Sequence, residues 1–207
     1  MTIAQTLNPR IRRFPTWPLY GLGVIPMAVL FYQAVAGQLG PDPMRVLEHQ
    51  YGEWALQLLI ATFLVTPVRN LTGISLLKFR RAFGLLAFFY VMAHFLVWLV
   101  LDKQFYWAEI LTDLTKRPYI FIGMAAFLIL IPLAVTSTNG WIRRLGARNW
   151  GRLHKIGLIA PILGAVHYLL LVKAWPIEPF IYLGIAILLA ILRLSMPKLR
   201  ILASGQG

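Results

Sequence analysis

The chain has 207 residues, 59% of them apolar and 13% charged, and its mean hydropathy of +0.70 leaves too little polar surface to coat a water-soluble domain of this size. There is no cysteine, which excludes disulfide frameworks, Cys-ligated zinc, iron–sulfur clusters and covalently attached c-type haem. The net charge of +13 would suggest nucleic acid in a soluble chain, but here it has first to be read as orientation bias across a bilayer.

A hydrocarbon core about 30 Å thick needs roughly 20 mostly apolar residues per helix. Six stretches meet that requirement in chain order: 17–36, 51–68, 82–101, 119–136, 156–172 and 176–192. The first is long and lacks a small-residue cleavage site, so it reads as a span and not as a signal peptide. Pro41 and Pro43, Pro118, and Pro176 and Pro179 punctuate span ends, whereas Pro26, Pro132 and Pro161 lie inside spans where helices can kink. No internal repeat is evident. The fold class is therefore an all-α integral membrane protein, a six-transmembrane-helix bundle. Residues 1–16 and 193–207 form tails, and residues 17–192 form the membrane domain.

Charge sorts onto two sides. The N-terminal tail, the connections after the second and fourth spans, and the C-terminal tail hold fifteen basic residues and no acidic one; the other three connections, with the span ends beside them, hold five bases and all seven acids. The positive-inside rule puts both termini in the cytoplasm. The basic pI then reflects topology, and nucleic-acid binding is not expected. The longest connection, 137–155, has no room for a nucleotide-binding βαβ unit, so any electrons must be exchanged with other molecules.

An ionisable side chain inside a span is costly and marks function by default. His94 lies twelve residues beyond Ala82, and His167 lies eleven beyond Ile156. Both spans run outward, so the two rings reach similar depth in the outer half of the bilayer. Two imidazoles at one depth suit axial ligation of a non-covalent b-type haem; interhelical hydrogen bonding is the plainer alternative. His154 sits near the cytoplasmic mouth of the fifth span and could serve a second, inner cofactor, although the third span has no histidine at that level. Arg80 and Arg81 stand there instead, as partners for haem propionates or a flavin phosphate, or as headgroup anchors. His49, beside Glu48 and Glu53, reads as a surface residue with docking or quinone contact as the minor alternative. Gly84, Gly157 and Gly164 would admit a flat macrocycle or a neighbouring helix. Trp17, Tyr51, Trp54, Trp107, Tyr119, Trp141, Trp150 and Trp175 read as an aromatic belt. No residue set resembles a hydrolytic site, and no catalytic residue is assigned.

Several runs in order closely resemble the MsrQ (YedZ) family: Leu64–Arg69, Arg80–Leu85 with His94 beyond, Thr115–Tyr119, Ala134–Thr138, Leu145–Arg148, Leu153–Lys155 and His167–Tyr168. The resemblance covers roughly residues 40–192, and more distantly it extends to ferric-reductase and NADPH-oxidase membrane domains. It implies a multi-pass protein of the bacterial inner membrane that binds haem b (one or two) and flavin mononucleotide (FMN). It implies electron transfer from the quinone pool or a cytosolic flavin reductase to the periplasmic molybdoenzyme MsrP, which reduces methionine sulfoxide in oxidised proteins. The chain would be the electron-transfer subunit and would not reduce sulfoxide itself. The family's haem histidines carry over onto His94, His154 and His167. A direct ferric or oxygen reductase, and a non-redox transporter or structural subunit, remain as alternatives.

Overall fold

A computed structural model of the chain describes residues 3–204, with side chains through residue 195. The described residues form nine α-helices: α1 (Ile3–Arg13), α2 (Trp17–Val35), α3 (Pro43–Thr72), α4 (Arg80–Leu96), α5 (Trp107–Lys116), α6 (Pro118–Val135), α7 (Asn139–Ile156), α8 (Ile159–Leu171) and α9 (Ile177–Ser204). Six helical segments are long and apolar enough to cross a membrane, within Trp17–Val35, Pro43–Thr72, Leu77–Asp102, Pro118–Val135, Asn139–Leu171 and Ile177–Ser195. All six expected spans are present. Lys198 and Arg200, two of the cations assigned to the C-terminal tail, have side chains outside the described residues.

The boundaries differ where local chemistry outweighs hydropathy. Helix α3 begins at Pro43 because the Asp42 side chain accepts the Arg45 N–H at 3.1 Å, and it ends at Gly73, whose φ of 75° closes the last turn. Its 30 residues exceed what the hydrocarbon core needs, so His49 lies on a helix and not in a connection. The segment 137–155, expected as a loop for want of an apolar run, is mostly helix α7. Thr138 starts it by accepting the Trp141 N–H at 3.3 Å, and Gly146 kinks it at φ 72°. The chain breaks again between α7 and α8. Pro161 has no N–H for the Gly157 carbonyl, which instead accepts the Ala160 N–H at 3.2 Å. After α4, residues Val97–Asp102 widen into a π-turn, a local distortion often found beside functional groups.

Helix α3 packs against α4, α8 and α9, and α6 packs against α4 and α8. Where the four helices α3, α4, α6 and α8 meet, Leu59, Ala87, Leu130 and Ala160 form one buried cluster, with both alanines at 0% exposure. These four residues expose a quasi-repeat that escaped notice in the sequence. Gly52, Ala55 and Leu59 of α3 recur 71 residues later as Gly123, Ala126 and Leu130 of α6. Gly84, Ala87 and His94 of α4 recur 73 residues later as Gly157, Ala160 and His167. Small residues let the four backbones approach closely in lipid, where packing must replace a hydrophobic driving force. Helix α2 lies outside this core, held by the Tyr51 and Tyr90 hydroxyls donating to the Met27 and Gly23 carbonyls at 2.7 Å each.

The ends of the bundle are also built. The N-terminal tail contains α1, whose last-turn carbonyls of Ile11 and Arg12, with that of Phe14 just beyond, accept from the Lys78 ammonium, a favourable cation at a helix C-terminus. At the opposite end, α5 is tied down by ions. Lys103 lies 3.0 Å from Asp102 and 3.2 Å from Asp113, and Arg117 lies 3.1 Å from Asp113. Burial opposes charge on Lys103, yet Asp102 and Asp113 hold its pKa above its ordinary value.

Candidate cofactor site between two helix pairs

His94 of α4 and His167 of α8 face one another with ring centroids 6.0 Å apart and planes crossing at 83°. His94 Nδ1 lies 2.8 Å from the Glu48 carbonyl of α3, and His167 Nδ1 lies 2.6 Å from the Tyr119 carbonyl of α6. A carbonyl only accepts, so each Nδ1 carries the proton and donates it. The neutral ring with this tautomer has its lone pair on Nε2. That is the tautomer an axial ligand needs, with the outer-shell bond already made.

Both rings line a cavity of about 220 Å³ whose walls also include Gly52, Leu56, Val91, Phe95, Gly123, Phe127 and Gly164. Its mouth carries Glu48, His49, Asp102, Arg117 and Tyr119. His49 is exposed, as expected, but at this rim and not on a remote surface. Arg117 joins the rim to α5 through its ion pair with Asp113. The residues fit a haem on three counts. The walls are mostly apolar. With a metal–nitrogen bond of about 2.0 Å and roughly 1.1 Å from nitrogen to ring centre, two imidazoles on one metal place their centroids about 6 Å apart. Among the described residues no group of three or more His, Asp or Glu converges, so a bare ion would lack ligands that a porphyrin supplies.

A second cavity, of about 280 Å³, adjoins the first across Leu59 and Leu130 and is lined by Thr62, Arg80, Arg81, Ser137, Trp150 and His154. Of the three expected haem histidines, then, two stand together and His154 stands in the other cavity. Its Nε2 lies 3.1 Å from Thr136 Oγ1, and its ring stacks on Trp150 at 3.9 Å. Thr136 donates its own proton to the Pro132 carbonyl at 2.6 Å, so His154 is the donor in that bond. Arg81 also donates to Asn139 Oδ1 at 2.8 Å. The 73-residue offset that pairs His94 with His167 pairs Arg81 with His154, so the second cavity has an arginine where a second histidine would complete the symmetry. Stacked Phe95, Phe127 and Phe88 connect the cavities, with centroids 4.9 and 6.2 Å apart.

Sequence reading missed Gly52 and Gly123. A Cβ on Gly52 would sit 3.2 Å from His94 Nδ1, and one on Gly123 would sit 2.7 Å from His167 Nδ1. The signal that could have found them is the recurrence of G-x2-A-x3-L at the two positions.

The ferric reductase-like transmembrane component family model matches residues 51–165, a segment that holds Gly52, His94, Gly123 and His154 and stops two residues short of His167. Three relatives, from Brucella ovis, Brucella canis and Brucella melitensis biotype 2, carry the name protein-methionine-sulfoxide reductase heme-binding subunit MsrQ. Each is 50% identical over 193 residues, which covers 93% of this chain and 87% of the relative. At that identity and coverage, this chain belongs to the MsrQ family of ferric reductase-like transmembrane proteins.

Proposed function

We propose that this chain is the haem b-binding electron-transfer subunit of a protein-methionine-sulfoxide reductase system, and that His94 and His167 are the two axial ligands of one haem. Haem supplies one-electron chemistry when bound. The protein's part is to keep both Nδ1 protons on backbone carbonyls, which leaves both Nε2 atoms available to a metal, and to surround the site with apolar walls. The observation that carries the reading is the facing pair of imidazoles, 6.0 Å apart, each oriented by a carbonyl of a neighbouring helix.

In this reading both tails lie in the cytoplasm and residues 17–192 span the bacterial inner membrane, with the His94–His167 cavity in the periplasmic half. Arg80, Arg81 and His154 line the inner cavity, where two guanidinium groups suit the phosphate of FMN or the propionates of a second haem. Electrons enter from the quinone pool or a cytosolic flavin reductase and leave to a periplasmic molybdoenzyme, MsrP, on which sulfoxide reduction takes place. The family match also favours a second reading, direct reduction of ferric chelates; rapid reoxidation of the reduced protein by a ferric chelate without a periplasmic partner would support it.

The test is the reduced-minus-oxidised absorption spectrum of detergent-purified protein. His94→Ala and His167→Ala should each abolish the low-spin haem signature. Retention of a wild-type spectrum by both variants would refute the ligand assignment.

A further inference from the structure

We infer that Gly52 and Gly123 are positioning residues for the two histidines, each serving as a notch in which one imidazole is seated against a helix backbone. The inference rests on the haem reading above and adds residues that no resemblance assigned.

The device is the same on both sides. The carbonyl that receives His94 belongs to Glu48, four residues before Gly52, and the carbonyl that receives His167 belongs to Tyr119, four residues before Gly123. In an α-helix the carbonyl of residue i already meets the N–H of residue i+4, so a second donor has to approach across the side-chain position of that residue. A glycine leaves that approach open. At Gly123 a Cβ would lie 2.7 Å from Nδ1 and 3.0 Å from Cε1 of His167, closer than real Cβ contacts allow. At Gly52 the corresponding distances to His94 are 3.2 and 3.3 Å. Both glycines have ordinary helical neighbours and neither has a positive φ, so backbone freedom does not account for them. General close packing does not account for them either, because the atoms each Cβ would meet are those of the histidine ring.

The consequence is graded. An alanine at 123 must push His167 away from the Tyr119 carbonyl, whereas one at 52 asks His94 to give by a few tenths of an ångström. Loss of an outer-shell bond to a ligating histidine lowers metal affinity about 10–100-fold. It also weakens electron donation by the imidazole, which shifts the haem potential upward.

The experiment titrates haem into Gly123→Ala, Gly52→Ala and Gly21→Ala. It records affinity, low-spin spectrum, midpoint potential and the thermal midpoint of each haem-free protein. Gly21 is the control, since nothing lies within 4 Å of a Cβ there. Haem affinity should fall about 10–100-fold in Gly123→Ala, less in Gly52→Ala and not at all in Gly21→Ala. The potential should rise in the same order, with haem-free thermal midpoints near wild type. Wild-type affinity and potential in Gly123→Ala would overturn the inference, as would a thermal midpoint that falls in step with affinity, which would indicate packing alone. His94→Ala and His167→Ala in the same series separate the two claims. If they lose haem while the glycine variants do not, the notch fails and the ligand reading stands. If they keep a wild-type spectrum, both fail.

Discussion

Each of His94, His154 and His167 has one ring nitrogen committed to a protein partner, and the partner determines what the other nitrogen can do. For His94 and His167 that partner is a carbonyl on Nδ1, which leaves Nε2 as the lone pair. For His154 the committed nitrogen is Nε2, bound to Thr136, and Trp150 covers one face. His154→Ala should therefore leave the low-spin spectrum of the other pair intact and reduce the flavin or haem content of the inner cavity. Spectra together with flavin released on denaturation measure both effects, and loss of the low-spin signature would contradict this division. The shared level of His94 and His167 was legible because an imidazole in a 20-residue apolar run stands out. The glycines were not, because a glycine's role here is the absence of a side chain, visible only once the ring beside it is placed.

At the scale of elements, α4 and α8 are held at a fixed separation by Ala87 and Ala160, both fully buried beside Leu59 and Leu130. Ala160→Leu would overpack this crossing at a cost of about 1–3 kcal/mol and spread the histidine-bearing helices. The expected outcome is a lower thermal midpoint with weakened haem retention, followed by differential scanning and by haem content after gel filtration. The ion cluster around Lys103 makes a separate expectation. Lys103→Met leaves Asp113, only 6% exposed, with Arg117 as its remaining cation. This should cost about 1–3 kcal/mol and loosen α5 at the mouth, seen as faster proteolysis between Asp102 and Lys116. Span positions could be read from hydropathy, but the helical character of 139–156 could not. Its start is set by a Thr138 cap and its end by Pro161, and neither leaves an apolar signature.

For the whole molecule, the proposed orientation puts the basic end, with α1, Arg80 and Arg81, in the cytoplasm on the strength of the charge asymmetry. The chain has no cysteine, so single introduced thiols report topology without background. Thr115→Cys should react with an impermeant maleimide in intact spheroplasts, and Ser75→Cys only after permeabilisation; the reverse pattern would invert the topology. The quasi-repeat explains why one cavity has paired histidines and the other does not, since Arg81 stands where His154 would have its counterpart. The most direct test of the central claim is the low-temperature electron paramagnetic resonance spectrum of the oxidised protein. Two imidazoles crossing at 83° would leave the π-symmetry orbitals of a haem iron held between them nearly degenerate. The account therefore predicts a highly anisotropic low-spin ferric signal with one dominant low-field feature, lost in both His94→Ala and His167→Ala. A rhombic three-line signal of parallel imidazoles, or a high-spin signal in the wild-type protein, would contradict it.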